Sequence, residues 1–383
     1  MMAQMTPRER VRMALEHREP DRVPTALGGG PYGIVDELYI KLVDFFNLVD
    51  PIPPFRKGHS ISYMDDRVLE KLGVDTRYVW TGASPSSPIY PTDNPDIFLD
   101  GYGQPWKYLA PHYHPDKGLL AGAGTEEIES RVKWPDPSDP RWYEGVRERA
   151  KALREETDYF VIARMATSHG PYMTASHLRG VEQFFLDMAM DEEFTLALVE
   201  RVTDAIDGLL RGYLEAGGDY FDMVELSGDD YATQTGMAMS PKMFRRYFKP
   251  SIKRFVNTIK GFNSEIKVML HCDGDLTAIL PDIIECGVDV LHPLEPVPSV
   301  DFAEIKANFG DALAFLGAID IVHALPGSRQ DVIDEVRRRI HQLASGGGYV
   351  IAPANHVQSD VPPENLVTLF EAAEEHGRYP IQV

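Results

Sequence analysis

The chain is poor in cysteine, in basic residues and in long apolar runs. Two cysteines among 383 residues exclude a disulfide framework and suit a reducing compartment. No apolar run approaches the roughly 18 to 20 residues that cross a bilayer, and the N-terminus lacks the apolar core of a signal peptide. With 38 basic and 59 acidic residues, the formal net charge of −21 repels phosphate backbones and anionic bilayers. We therefore expect a soluble, cytoplasmic protein that binds neither nucleic acid nor membranes.

The N-terminal part of the chain has an irregular pattern. Thr6 and Pro7 open a predicted helix, and residues 21–28 follow as a first strand. From about residue 30 to residue 140, prolines and aromatic residues recur without a regular period. So long a turn-rich stretch is unusual in a compact domain unless it covers something. Two interpretations stay open: an extension wrapped over a core, or part of a substrate pocket.

After residue 140, short apolar runs alternate with amphipathic segments, which is typical of parallel βα units. The runs are 160–165, 221–226, 267–272, 288–295, 313–320 and 349–354, and the predicted helices include 182–215, 241–260, 276–286, 330–345 and 363–376. No Gly-x-Gly-x-x-Gly motif follows a strand to favour a doubly wound sheet. The pattern predicts an α/β fold: a single, closed (β/α)8 barrel of the TIM type over residues 1–383. Residues 1–140 would form its N-terminal strand and covering extension, and residues 141–383 its regular βα units.

Polar side chains follow the predicted strands, where (β/α)8 barrels carry their active sites. His271 and Asp273 stand two residues apart at the end of one run and therefore project to the same side, whereas Cys272 faces the other way. An imidazole and a carboxylate so placed can bind a metal with a third ligand, or work as general acid and base. An ion pair that merely closes the strand is the structural alternative. Other groups expected around the same cavity are Asp229, Asp230, Gln234, Glu295, Asp320, Asn355, His356 and Arg164.

A series of motifs runs along nearly the whole chain. They lie at residues 6–11, 18–24, 69–75, 134–137, 178–180, 229–234, 240–250, 271–274, 287–289, 317–320, 346–349 and 362–365. In this order they resemble the uroporphyrinogen decarboxylase-like superfamily, particularly its cobalamin-associated methyltransferase branch. The resemblance implies a (β/α)8 barrel with an N-terminal extension, in agreement with the alternation of strands and helices.

Two departures from the family pattern bear on the chemistry. Uroporphyrinogen decarboxylases carry an Arg-Gln-Ala-Gly-Arg-Tyr segment whose arginines receive substrate carboxylates, and residues 28–33 of this chain read Gly-Gly-Gly-Pro-Tyr-Gly instead. In the thiol-methylating branch, a His-x-Cys and a later Cys bind zinc. His271 matches that histidine, Asp273 replaces the first cysteine, and Asn355 or His356 takes the place of the second. Such a site suits zinc or another divalent ion with N and O ligands, or metal-free acid and base catalysis.

The resemblance and its departures together predict a methyltransferase. It would move a methyl group from a small O- or N-methylated substrate to a corrinoid protein, which is a demethylase-type activity. The expected cofactors are zinc or another divalent metal, and a corrinoid (cobalamin) carried by a partner protein, because no Asp-x-His-x-x-Gly segment is present. A homodimer is also expected. Two alternatives stay open: a decarboxylase that binds its carboxylated substrate through Arg164 and Arg179, and a non-catalytic barrel that binds a small molecule.

Each candidate residue has an expected role in this reaction. His356 is the preferred third metal ligand, since imidazole binds zinc better than a neutral amide does. The expected catalytic residues are His271, Asp273, Asp229 and Asp230, the substrate-binding residues are Gln234, Glu295, Asp320, Asn355 and Arg164, and the metal ligands are His271, Asp273 and His356.

Overall fold

The structure is a computed structural model, and it describes residues 5–54, 61, 63–80, 90–109, 112–165, 167 and 169–381. Its strands are β1 Thr76–Trp80, β2 Tyr90–Pro91, β3 Ile97–Leu99, β4 Pro105–Leu109, β5 His112–Pro115, β6 Phe160–Arg164, β7 Met223–Glu225, β8 Ala232–Thr233, β9 Gly236–Met237, β10 Lys267–His271, β11 Val290–His292, β12 Ala314–Ile319 and β13 Tyr349–Pro353. Its helices are α1 Pro7–Leu15, α2 Asp36–Phe45, α3 Asp66–Lys71, α4 Ile128–Arg131, α5 Val146–Glu156, α6 Pro171–Arg179, α7 Val181–Met190, α8 Glu192–Gly217, α9 Pro241–Tyr247, α10 Lys249–Phe262, α11 Leu280–Cys286, α12 Phe302–Phe309, α13 Arg329–Leu343 and α14 Pro363–His376.

Seven strands form one parallel sheet in the order β1-β6-β7-β10-β11-β12-β13. Helices separate most of these strands along the chain, which confirms the α/β alternation predicted after residue 140. Strands β1, β7, β11, β12 and β13 are buried at every position, as expected for a parallel sheet covered on both faces. The register sets His271 of β10 beside His292 of β11 at the carboxyl ends of both strands.

A short extended segment at residues 24–26 contacts both edges of this sheet. On one side, Thr25 bridges Ile351 of β13 in parallel orientation, and the Ala26 N–H donates to the Ile351 carbonyl at 2.8 Å. On the other side, the N–H of Asp75, immediately before β1, donates to the Thr25 carbonyl at 3.1 Å. Residues 24–26 are therefore hydrogen-bonded both to the edge strand β13 and to the residue that precedes the edge strand β1.

The side chains on one face of the curled sheet pack against one another and form a separate apolar core. This core draws buried side chains from all seven strands, which requires the sheet to curve around them. Its members are Val11, Leu15, Ala26, Tyr32, Tyr78, Trp80, Phe160, Ile162, Met223, Met269, Val290, Ala314, Leu316, Val350 and Ala352. A larger apolar cluster lies between the sheet and the helices.

The structure corrects several predicted boundaries. The helix predicted over 182–215 is two helices, because Asp191 ends α7 and its side chain accepts the Phe194 N–H to cap α8. The helix predicted over 241–260 is also two, α9 and α10, with a break at Phe248. The stretch predicted as irregular over 30–140 contains α2, α3, β1 and a four-stranded antiparallel sheet in the order β2-β3-β4-β5. Parts of that stretch, residues 55–60, 81–89 and 110–111, lie outside the described residues.

Within the ranges that the structure describes, no helix combines the length and the hydrophobicity required to span a membrane.

Candidate active site and metal centre

A cavity of about 370 Å³ lies at the carboxyl ends of the parallel strands. Arg164 ends β6, Glu225 ends β7 and His271 ends β10, and each of these residues lines the cavity. The antiparallel sheet β2–β5 contributes an aromatic wall. The lining residues from that sheet and from α6 include Phe98, Trp106, His112, Tyr113, Thr174 and His177.

Three cavity residues form a group that fits a divalent metal ion. Asp230, His271 and Asp273 each offer one ligand atom, and these atoms all lie within 4.8 Å of one another. The Nε2 atom of His271 is 3.8 Å from Oδ1 of Asp273. That Oδ1 is buried and has no hydrogen-bond partner in the part of the chain that the structure describes. A buried acceptor of this kind is costly unless something binds it, and a set of one nitrogen and two carboxylate ligands suits zinc or a harder divalent ion.

The neighbouring histidine fixes which nitrogen of His271 faces the carboxylates. Nε2 of His292 lies 3.3 Å from the carbonyl oxygen of Pro353, and because a carbonyl only accepts, this nitrogen carries the proton. Complete burial lowers the pKa of His292 well below its ordinary value, so its ring is neutral and its Nδ1 is an acceptor. Nδ1 of His271, 2.9 Å away, therefore donates to it. The lone pair of His271 is left on Nε2, the atom that faces Asp273.

Burial controls the charges of this group. Burial, together with the positive charge of Arg164, lowers the pKa of His271 to about 3, so the imidazole is neutral. Burial raises the pKa of Asp230 above its ordinary value. It also raises that of Asp273 well above the ordinary value, and the charges of Asp230 and Glu295 add to the effect. A cation placed among these groups would favour their charged forms.

Hydrogen bonds hold the two carboxylates in place. Asn355, which follows β13, donates from Nδ2 to Oδ2 of Asp273 at 2.5 Å. Oδ1 of Asp230 accepts the backbone N–H of Asp273 at 3.1 Å. These contacts orient the carboxylates as outer partners orient metal ligands in other sites.

The structure brings six predicted site residues to the cavity. One of them, His356, is not part of the group formed by Asp230, His271 and Asp273. The six are Arg164, Asp230, His271, Asp273, Asn355 and His356. Nε2 of His356 is 2.8 Å from the carbonyl oxygen of Gly30 and therefore donates to it. Asp230, expected as a catalytic group, stands in the third position instead.

Four predicted site residues are not among those that line the cavity. Asp229 lies behind it, where its carboxylate accepts the N–H groups of Tyr172 and Met173 at the start of α6 and the hydroxyl of Tyr231. Burial raises the pKa of Asp229 to about 7. These contacts fix the start of α6, and the catalytic role expected for Asp229 from the sequence stays a prediction.

The other three contact loops near the strand ends, and the substrate-binding role expected for them stays a prediction. Nε2 of Gln234 donates to Oε1 of Glu295 at 2.9 Å, and Oε2 of Glu295 accepts the Gly274 N–H at 2.7 Å. Oδ1 of Asp320 accepts the backbone N–H groups of residues 322 and 323 and so caps a turn.

Sequence reasoning missed several cavity residues. Glu225 was hidden inside an apolar run, yet it is buried beside Arg164 and within 3.3 Å of the Tyr32 hydroxyl. Trp106 stacks on His169 with ring planes 6° apart, and His177 meets both rings edge-on. Burial lowers the pKa of His177 to about 4, so this histidine is neutral. The aromatic residues of the 90–115 sheet gave no periodic signal, because contact with α6 depends on the tertiary fold.

Comparisons with known proteins connect this cavity to a family. A family profile described as Uroporphyrinogen decarboxylase (URO-D) matches residues 124–376. A methylcobamide:CoM methyltransferase MtaA of Methanosarcina barkeri is 27% identical over 235 residues, which cover 60% of this chain and 63% of that protein. A uroporphyrinogen decarboxylase of Thermus thermophilus is 26% identical over 211 residues, which cover 54% of this chain and 57% of that protein. The chain thus spans less than two thirds of the length of these relatives.

A solved structure shares the fold over nearly the entire chain. It is described as a methyltransferase from Methanosarcina mazei, and the similarity covers 97% of this chain and 99% of that one, with a TM-score of 0.65 and 19% sequence identity. At this identity the likeness shows a common fold.

Proposed function

The chain belongs to the uroporphyrinogen decarboxylase family, and from this premise we propose that it is a corrinoid-linked methyltransferase. Its reaction moves a methyl group from a small O- or N-methylated substrate to the corrinoid of a partner protein. The observation that carries the proposal is the Asp230, His271 and Asp273 group beside a cavity at the strand ends. The name of the M. barkeri relative, a methylcobamide:CoM methyltransferase, supports a corrinoid as one partner in the methyl transfer. In that name the methylcobamide is the methyl donor, so the direction proposed for this chain rests on its own ligand set.

Methyl removal from oxygen or nitrogen makes a clear demand on the site. The C–O or C–N bond breaks, the methyl carbon bonds to the cobalt of the reduced corrinoid, and the leaving atom keeps the electron pair and takes up a proton. The leaving atom must therefore be protonated or bound to a Lewis acid. A divalent metal held by Asp230, His271 and Asp273 would supply that Lewis acidity when bound. Burial raises the pKa of both carboxyls, which favours their protonated forms when no cation is bound.

The cysteines support an O- or N-methylated donor over thiol chemistry at a zinc–thiolate site. Sγ of Cys272 accepts the Tyr231 N–H at 3.2 Å, and burial raises the pKa of this thiol well above its ordinary value. Cys286 ends α11 and is buried there. Neither cysteine belongs to the Asp230, His271 and Asp273 group, so the ligands in that group are a hard set.

We also propose that residues 24–26 are the eighth strand of a closed barrel. Their hydrogen bonds to β13 and to the residue before β1 support this closure. In this view residues 1–383 form one domain, and the antiparallel sheet β2–β5 covers the barrel mouth at the cavity.

A methyl-transfer assay tests the proposed function. The zinc-loaded protein is incubated with reduced free cobalamin and a panel of methoxy compounds and methylamines, and methylcobalamin is followed by its absorbance. We expect transfer from at least one donor. Asp273→Asn should lower the rate at least about 10- to 100-fold, the loss typical of groups just outside the ligands of a metal. The exposed Asp334, on α13, supplies the matched control Asp334→Asn, which should keep the full rate.

Metal analysis of the same proteins separates the two mechanisms. Loss of bound metal and of activity in Asp273→Asn supports a metal centre. A wild-type protein without metal, with turnover but not substrate binding lost in the variant, supports metal-free acid and base catalysis. Full activity of Asp273→Asn, or no transfer from any donor, contradicts the proposal.

A decarboxylase is the second candidate, because the family profile and the T. thermophilus relative are both named for decarboxylation. The Gly-Gly-Gly-Pro-Tyr-Gly segment at 28–33 has none of the arginines that receive carboxylates in those enzymes. Release of carbon dioxide from a carboxylated donor, without methylcobalamin, would identify this activity in the same assay.

A further inference from the structure

Arg164, at the end of β6, lines the cavity but is poorly satisfied by the protein. Its side chain donates no hydrogen bond to any residue that the structure describes, and its Nη1 atom is buried without a partner there. Nε is 3.6 Å from Oε1 of Glu225, an ion-pair distance that is too long for a hydrogen bond. The guanidinium lies 4.7 Å above the centre of the Trp80 ring.

This shortage of partners indicates a ligand. A guanidinium has five N–H donors in a rigid plane, and buried donors left unpaired destabilise a protein. The arrangement of these donors matches the two oxygens of a carboxylate, which arginine binds through paired hydrogen bonds.

The surroundings of Arg164 give it access to the cavity and a suitable charge for such a ligand. Arg164 lines the cavity, while its opposite side is covered by the backbone of Gly30, where a Cβ atom would lie 2.5 Å from Cζ of Arg164 and 2.4 Å from Oε1 of Glu225. The charge of Glu225 offsets that of Arg164. A divalent cation would likewise offset the charges of Asp230 and Asp273. The charges of Arg164, Glu225, Asp230, Asp273 and the divalent cation would then sum to zero, and Asp100, whose pKa burial raises to about 6, would be the remaining carboxyl in the lining.

We propose that Arg164 binds a carboxylate of the substrate, so that the methyl donor is a carboxylate-bearing O- or N-methyl compound. The inference that the substrate carries a methyl group rests on the proposed function. The inference that it carries a carboxylate rests only on the surroundings of Arg164. One end of the substrate lies against Arg164, and its methylated atom faces Asp230, His271 and Asp273. The aromatic wall around Trp106 contacts the part between them.

Calorimetric binding to the zinc-loaded protein tests the carboxylate. The probes are two matched pairs: 4-methoxybenzoate with 4-methoxybenzyl alcohol, and methoxyacetate with 2-methoxyethanol. We expect the wild-type protein to bind at least one acid about 10- to 100-fold more tightly than its alcohol, as charge-assisted hydrogen bonds allow. Arg164→Gln should abolish this preference and Arg164→Lys should retain part of it. The exposed Arg337, on α13, gives the control Arg337→Gln, which should bind like wild type.

The outcomes separate this inference from the proposed function. Equal affinity for acid and alcohol in the wild type, binding of neither acid, or an unchanged preference in Arg164→Gln overturns the inference. If Arg164→Gln does not fold, the preference of the wild type and its partial retention in Arg164→Lys decide. Methyl transfer from the alcohols, with no preference for acids, would support the proposed methyltransferase and contradict carboxylate binding by Arg164. A preference for acids in binding, without any methyl transfer, would support carboxylate binding by Arg164 and contradict the proposed methyltransferase.

Discussion

At the scale of single residues, His292 controls the state of His271. Its Nδ1 accepts the proton of His271, which leaves the lone pair on the atom that faces Asp273. We expect His292→Phe to release this constraint and to weaken zinc binding about 10- to 100-fold, the usual effect of losing the outer partner of a ligand. A glutamine at 292 can accept and donate in the same directions, so His292→Gln should restore part of the affinity.

Two measurements check the role of His292. Ring-nitrogen NMR reports the tautomer of His271 in the metal-free protein, and competition with a chelating dye gives the zinc affinity. The exposed His341 provides the control His341→Asn, which should change neither quantity. An unchanged tautomer and unchanged affinity in His292→Phe would show that His292 is only a packed core residue.

The sequence predicted part of this arrangement and could not predict the rest. Residues 271 and 273 face one side because side chains alternate along a strand, and Asp230 follows a neighbouring strand. The choice between Asp230 and His356 as the third member depends on contacts between distant segments. His356 donates to the carbonyl of Gly30, more than 300 residues away in the chain, and no local pattern reports that bond.

At the scale of secondary-structure elements, Asp75 fastens the N-terminal segment to the sheet. Its carboxylate is buried and accepts hydrogen bonds from Arg10, from Arg22 and from the backbone N–H of Thr25. Asp75→Ala leaves Arg10 paired with Asp21 but removes the carboxylate partner of Arg22 and the acceptor of the Thr25 N–H. We therefore expect the free energy of unfolding to fall by about 1 to 3 kcal/mol. Urea denaturation measures this loss, and the exposed Asp334→Ala should change stability by less than about 0.5 kcal/mol. A loss below about 1 kcal/mol in Asp75→Ala would contradict a fastening role.

The elements with regular spacing were the ones that the sequence predicted. Runs of apolar residues marked β6, β7, β10, β11, β12 and β13, and each structural strand lies within its predicted run. Strand β1 was not predicted from the sequence, because Arg77 interrupts its apolar pattern. In the structure that arginine is buried, donates to the carbonyls of Val74 and Thr76, and lies 3.5 Å from the centre of the Tyr159 ring. Periodicity alone cannot distinguish a buried arginine of this kind from a surface residue.

At the scale of the whole molecule, the Asp230, His271 and Asp273 group couples folding to pH. Burial raises the pKa of Asp230 and of Asp273, so in the metal-free protein these two carboxyls bind more protons when folded than when unfolded. This contribution to stability is present at low pH and is lost as the pH rises through the raised pKa values. His271 acts in the opposite direction, because its pKa is lowered from 6.5 to about 3 in the folded chain. Between these two values the unfolded chain binds the proton and the folded chain does not, so this contribution to stability rises with pH.

A bound divalent cation reverses the dependence that comes from the two carboxyls. It favours both carboxylates in their charged forms, so its binding releases protons and its stabilising effect grows with pH. At a free zinc concentration about 100 times the Kd, the stabilisation is about 2.7 kcal/mol. We expect zinc to raise the Tm more at about pH 8 than at about pH 5, and a chelator to remove the gain. Asp273→Asn should abolish most of the gain and the exposed Asp334→Asn should keep it. A gain that is independent of pH, or that persists in Asp273→Asn, would place the bound metal outside the Asp230, His271 and Asp273 group.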